Sequence, residues 1–186
     1  MNPPVRAAYR EFDVAVARLV RHARTEVSIP CADGCSACCF DVAWAVKPEV
    51  DEIAERVRSM PTAKRARVLE RTRQWLAGMR AAGLDPDDTW PDLRTYHRAH
   101  LACPLLEDNR CLTYDLRPMS CRAHYVVAPD ANGCANRAEV PTIETLEMPG
   151  LLTEAFARML DWKPTKLRDH LLPRLLGAAL GVEPLS

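Results

Sequence analysis

Between residues 5 and 23, Val5, Ala8, Phe12, Val16, Leu19, Val20 and Ala23 recur at three- and four-residue intervals, while Arg6, Arg10, Glu11 and Arg21 fall mostly off that line. This is the period of an α-helix that buries one stripe and leaves the rest in water. A second stripe is carried by Val50, Ile53, Ala54 and Val57, with Pro48 suited to the first turn and Pro61 to the stop. A third runs through Val68, Leu69, Thr72, Trp75, Leu76 and Met79, and Gly83 offers its stop. The many arginines of that third segment read as a solvated face. Two more amphipathic helices are expected near the C-terminal end, one around Leu151 to Leu160 and one with Leu167, Leu171, Leu172, Leu175, Leu176 and Leu180.

Other segments break this pattern. "FDVAWAV", residues 40–46, reads as a short strand or extended stretch. "LDPDDTWPD", residues 84–92, is rich in proline and aspartate and reads as a loop, with Asp87 and Asp88 as turn residues. Within "CPLLEDNRCLTYDLRP", the polar residues Glu107 to Arg110 separate two short apolar segments, which predicts a hairpin presenting Cys103 and Cys111 from its two arms. Pro118 is suited to start a short helix bearing Cys121 and Arg122, and "APDANGCANRAEV" is turn-rich up to Cys134.

Composition narrows the function classes. The 186 residues, 48% of them hydrophobic, suit one buried core. Lysine plus arginine number 25 and aspartate plus glutamate 25, a balance that argues against a nucleic-acid partner or an anionic membrane surface. The first twenty residues, "MNPPVRAAYREFDVAVARLV", carry prolines, arginines and acids where a secretory signal would be apolar, and no stretch approaches the length of a membrane span. A cytoplasmic location is therefore expected. In that reducing compartment clustered cysteines serve metal binding or redox chemistry better than disulfides.

The eight cysteines divide as C-x3-C-x2-C-C at Cys31, Cys35, Cys38 and Cys39, then C-x7-C-x9-C-x12-C at Cys103, Cys111, Cys121 and Cys134. Thiolates suit zinc and iron, and neither block has a standard zinc-finger or ferredoxin spacing. Cys35 and Cys38 can wrap one ion through a tight turn, with Gly34 giving backbone freedom. Adjacent Cys38 and Cys39 are harder to place, because successive side chains of an extended segment point to opposite sides. They are expected to face different metals, or one of them bridges two metals or stays a free thiol. Buried packing cysteines and a disulfide framework are the bland alternatives, and four thiols in nine positions fit them less well. The expected fold class is mainly α, a helical shell around a cysteine-rich metal-binding centre with a short β-hairpin. We expect a single domain over residues 1–186, with the motif region at 31–140 and flanking helices at 1–25 and 143–180.

These residues carry a resemblance. The N-terminal C-x3-C-x2-C-C block, the central Cys103-Pro104, Cys111, Tyr114, Arg117-Pro118 and Cys121-Arg122, and the trailing "NGCANRA" around Cys134 make the chain similar to the YkgJ-type cysteine cluster family, CxxCxxCC. The resemblance covers about residues 31 to 140 and implies metal chelation, with an iron-sulfur cluster or zinc as the cofactor. A related domain in flagellin lysine N-methylases would imply an iron-sulfur cluster beside methyl transfer. This chain is short for that, and with seven glycines and no G-x-G pair it shows no methyl-donor loop of the usual kind.

Four thiolates around zinc, or around a common oxidised four-iron cluster, leave a charge of about minus two, which favours donors and cations close by. Arg117 and Arg122 flank Cys121 and are the candidate donors to the sulfurs; Arg117 could equally pair with Asp115. Tyr114 reads as a buried core tyrosine, and Trp44, Trp75, Trp90 and Trp162 as core or interface anchors. Among the histidines, His97 and His100 are three apart and His124 follows Cys121 by three, so each could complete an open metal site, though singly each is more often a surface or satisfied residue. No catalytic residue is assigned, since nothing in the sequence fixes His124 against a particular thiol. The expected function is metal binding through the eight cysteines, as an iron-sulfur cluster or zinc. The rivals are an iron-sulfur enzyme or subunit supporting redox or protein-modification chemistry, and a zinc-stabilised module that docks a protein partner.

Overall fold

The first stripe becomes α1, Pro3–Ala23, in a computed structural model that describes residues 3–32, 34–128, 145–146, 150 and 170–183. Val5, Ala8, Tyr9, Phe12, Val16 and Val20 of α1 are buried in one cluster with Ile29, Val46 and Met119. Removing that apolar face from water is what holds a helix of this kind in place, far more than helical propensity does.

Helix α2, Lys47–Arg58, starts with Pro48 in its first turn and buries Val50, Ile53, Ala54 and Val57. Its first turn is closed by Glu49, whose Oε2 accepts from the Val46 N–H at 3.0 Å while the Glu49 N–H donates to the Val46 carbonyl at 3.0 Å. Helix α3, Thr62–Ala81, buries Val68, Thr72, Trp75, Leu76 and Met79. It stops where expected. Gly83 takes φ +76° and the Leu84 N–H reaches back to the Met79 carbonyl at 2.9 Å, the Schellman arrangement that occupies the last free carbonyls.

The loop after α3 gives way to a helix that the sequence pattern did not announce, α4, Leu93–Ala99, capped by the Asp92 side chain accepting from the Thr95 N–H at 2.8 Å. The expected hairpin is present: β2, Leu106–Glu107, pairs antiparallel with β3, Arg110–Cys111. Asp108 and Asn109, both at positive φ (50° and 58°), form the two-residue connection, which matches the demand of a primed turn for residues that tolerate that region. Cys111 lies on the second arm, and Cys103 lies just before the first. Helix α5, Met119–Ala123, follows Pro118 and carries Cys121 and Arg122.

Near the C-terminal end, β4, His170–Leu171, pairs antiparallel with β1, Trp44–Ala45, and leads into α6, Leu172–Ala179. This helix packs on α2 and α3. Arg174 of α6 is fully buried, and its guanidinium meets Asp87 at 2.7 and 3.2 Å, so Asp87 does more than shape a turn. The expected helix at 151–160, and Leu167, Trp162 and Cys134, lie outside the described residues.

The described elements are mainly α-helical, as expected. No helix among the described residues is long and apolar enough to cross a membrane.

Candidate metal centre

Two turns and the hairpin bring the thiols together. Cys31 and Cys35 sit on a loop in which the Cys35 N–H closes onto the Ala32 carbonyl at 3.1 Å, with Gly34 at φ +83° making that reversal without strain. Cys38 and Cys39 lie on a 3₁₀ turn, Ala37–Phe40. The extended geometry assumed for the adjacent pair is thus corrected: the two residues follow one another on a 3₁₀ turn, and both line the same cavity.

The two cysteine blocks touch through the backbone as well. The Cys103 N–H donates to the Cys39 carbonyl at 2.7 Å, and Ser36 Oγ lies 3.3 Å from Asn109 Oδ1 at the hairpin tip. Cys31 packs on the α1 cluster, while Cys103 and Cys111 pack on the cluster built by α2 and α6. Cys31, Cys35, Cys38, Cys39, Cys103, Cys111 and Cys121 all line one cavity of about 950 Å³. All seven are free thiols.

Electrostatics inside the cavity follow from this crowding. Accepting the Cys39 proton lowers the Cys38 thiol, with further help from His124 and Arg117, and the same bond drives Cys39 upward. Burial pushes Cys103 up to about 12, and the sulfurs of Cys111 and Cys38 add to it. Cys121 is raised first by burial and then by Cys103, Cys38 and Cys111, and Cys31 by burial offset in part by the Val126 N–H at 3.5 Å. Thiols that raise one another in this way gain from a thiophilic cation that takes the place of their protons. The donor set therefore fits zinc or iron. Among the described residues, no three or more His, Cys, Asp or Glu side chains are already gathered at the spacing of a single ion.

The two arginines part company. Arg117 lines the cavity, with its guanidinium 3.6 Å over the Tyr114 ring and its Nε donating to the Tyr114 carbonyl at 3.2 Å. Arg122 does not line it. Its buried guanidinium donates to the carbonyls of Arg117 and Asp115 and to Asp13 Oδ2 at 2.5 Å, and stacks 4.0 Å over the Tyr9 ring. Arg122 thereby ties α5, which carries Cys121, to the backbone just before Pro118. Tyr114 is 55% exposed, against the expectation of a core role, because the short 3₁₀ turn Tyr114–Leu116 turns Leu116 inward in its place.

Histidines behave individually. His100 stacks on Phe40 at 4.2 Å. His97 Nε2 lies 2.8 Å from Asp41 Oδ1, and His124 lines the cavity with its Nε2 3.8 Å from Asp41 Oδ2. Both imidazoles are lowered by burial, and the Cys38 thiolate partly offsets this at His124. Asp41, which the sequence reading passed over, also lines the cavity and is 8% exposed.

Residues 30–140 match the family described as "CxxCxxCC: Putative zinc- or iron-chelating domain", more than half of the chain. No curated protein and no solved structure matches it.

Proposed function

Because the chain belongs to the CxxCxxCC family of zinc- or iron-chelating domains, we propose that it is a metal-binding protein whose ligands are Cys31, Cys35, Cys38, Cys39, Cys103, Cys111, Cys121 and Cys134. One observation carries the reading: seven of these thiols, drawn from both blocks, line a single cavity. A closed zinc site and a single iron-sulfur cluster each take four thiolates, so seven sharing one space exceed either alone, and an iron-sulfur cluster is the form tested first. When bound, such a cluster supplies one-electron chemistry, whereas zinc supplies a redox-inert cross-link. Arg117 is the candidate donor to the sulfurs at the cavity wall, and Arg122 acts through the backbone it fixes. The free thiols suit a reducing, cytoplasmic setting, and residues 1–186 are read as one domain around the centre.

The size of the cavity favours a second reading as well. A volume of about 950 Å³ lies in the range of pockets that hold small organic ligands, so an iron-sulfur centre could work on a substrate admitted beside it. Anaerobic purification with analysis of iron, acid-labile sulfide and zinc tests the proposal. Brown protein with iron and sulfide in equal amounts is expected. Colourless protein with stoichiometric zinc would move the reading to a zinc-stabilised interaction module, and protein that takes up neither metal would sink it.

A further inference from the structure

Four arginines from three separate segments line the cavity: Arg21, Arg24, Arg110 and Arg117. Arg21 and Arg24 are three residues apart at the C-terminal end of α1, a spacing that makes them neighbours on one helix face. Arg110 comes from β3 of the hairpin, and Arg117 from the link between the Tyr114–Leu116 turn and α5. Asp41 is the one carboxylate among the described residues that line the same space. Its Oδ1 is already engaged by the Val42 N–H and by His97 Nε2, each at 2.8 Å.

The donors of these arginines are only partly used. Arg24 gives one terminal nitrogen to the Cys31 carbonyl at 2.8 Å, and Arg117 gives its Nε to the Tyr114 carbonyl at 3.2 Å with its Cζ 3.6 Å over that ring. Arg21 and Arg110 make no hydrogen bond or ion pair with the described residues. A guanidinium carries five N–H donors, and two of them in parallel match the two oxygens of a carboxylate or phosphate. Val20, Leu105, Val126 and Leu172 add apolar wall to the same cavity.

Gathering like charges around a partly closed space costs free energy unless counter-charge enters it. A single four-thiolate zinc centre, at about minus two, offsets half of the four guanidinium charges.

From this placement we propose that the cavity takes up a small organic anion, a carboxylate or phosphate carried on an apolar body, with Arg21 and Arg110 supplying the positive charge that recognises it. The inference deepens the reading in which an organic substrate is admitted beside the metal centre, and it rests on that reading. It defines the substrate class by charge.

The test uses anaerobic, metal-loaded full-length protein and two dyes of one skeleton: anilinonaphthalene sulfonate, which is anionic, and phenylnaphthylamine, which lacks the sulfonate. Fluorescence titration should show the anionic dye bound at least about 10-fold more tightly. Displacement by phenylbutyrate and by phenyl phosphate then ranks the two head groups. Arg21→Gln and Arg110→Gln should each weaken the anionic dye about 3-fold, and together about 10-fold, with the neutral dye and the metal content unchanged. Both side chains are exposed, so the variants should keep the fold, and Arg110→Lys, which retains the charge, should recover part of the loss. Equal binding of the two dyes, or variants that bind the anionic dye as wild type does, would overturn the anion inference and leave the organic-substrate reading standing. Variants that lose metal but keep their dye affinity would overturn it too, because the arginines would then serve the thiolate centre alone. Binding of neither dye would overturn both the inference and the reading on which it rests.

Discussion

Glu49→Gln should change the sign of its own effect on stability between acid and neutral pH. Glu49 is fully buried in the first turn of α2, where its carboxylate accepts from the Val46 N–H at 3.0 Å, the Met119 N–H at 2.8 Å and the Tyr9 hydroxyl at 3.3 Å. Burial outweighs these three donors and raises the carboxyl from 4.5 to about 7. Below pH 4.5 both folded and unfolded chains hold the proton and the native state keeps its full stability. Between 4.5 and 7 the unfolded chain has released the proton and the native one has not, so stability falls as pH rises, and above about 7 the loss is complete. At about 1.4 kcal/mol per pH unit, the loss amounts to about 3 kcal/mol.

Glutamine cannot ionise and escapes that loss, but its amide nitrogen must face one of the backbone N–H donors. Leaving such a buried donor without an acceptor costs about 1–2 kcal/mol. The variant should therefore be less stable than wild type near pH 4.5, and more stable by about 1–2 kcal/mol near pH 8. Urea unfolding of the two proteins across this range, followed by far-ultraviolet circular dichroism, gives the difference directly, and titrations common to both, including those of the cysteines, cancel. Parallel stability curves from pH 4.5 to 8 would refute the claim that Glu49 is held protonated by its surroundings.

Two further outcomes can be checked on the same footing. Asp87→Ala removes the bidentate partner of the fully buried Arg174 and should cost about 3 kcal/mol in urea unfolding, while Asp87→Ala with Arg174→Met should recover part of it. Chelator treatment of the metal-loaded protein should lower Tm and make the cavity thiols reactive towards a thiol reagent, because the ion stabilises only the native state; an unchanged Tm after complete metal removal would contradict this.

The helices were legible because apolar stripes on α1, α2 and α3 are long enough to declare their period, and the hairpin because its turn needs residues such as Asp108 and Asn109. Helix α4 was missed: seven residues carry too little of a period, and its signal was the capping Asp92 alone. The adjacent cysteines misled for a different reason. Reading Cys38 and Cys39 as extended separated their thiols, whereas a 3₁₀ turn, which no single residue announces, turns them to one cavity. Asp41 and His97 could not be paired from sequence at all, since their contact joins the 3₁₀ turn to α4 and depends on tertiary packing. The burial of Glu49 and Arg174 is equally non-local, as both read as ordinary polar positions on helix surfaces.

The bond between the Cys103 N–H and the Cys39 carbonyl bears on how tightly an ion can be held. Bringing together two thiol-bearing segments separated by about 64 residues would otherwise fall to the ion, at an entropic cost on the order of 4 kcal/mol for a flexible loop of that length. Here the hydrophobic clusters and this backbone bond already close the loop. Affinity is then set by sulfur protonation and local rearrangement of side chains, so a destabilising substitution far from the cavity weakens metal binding only once it lets the two segments part.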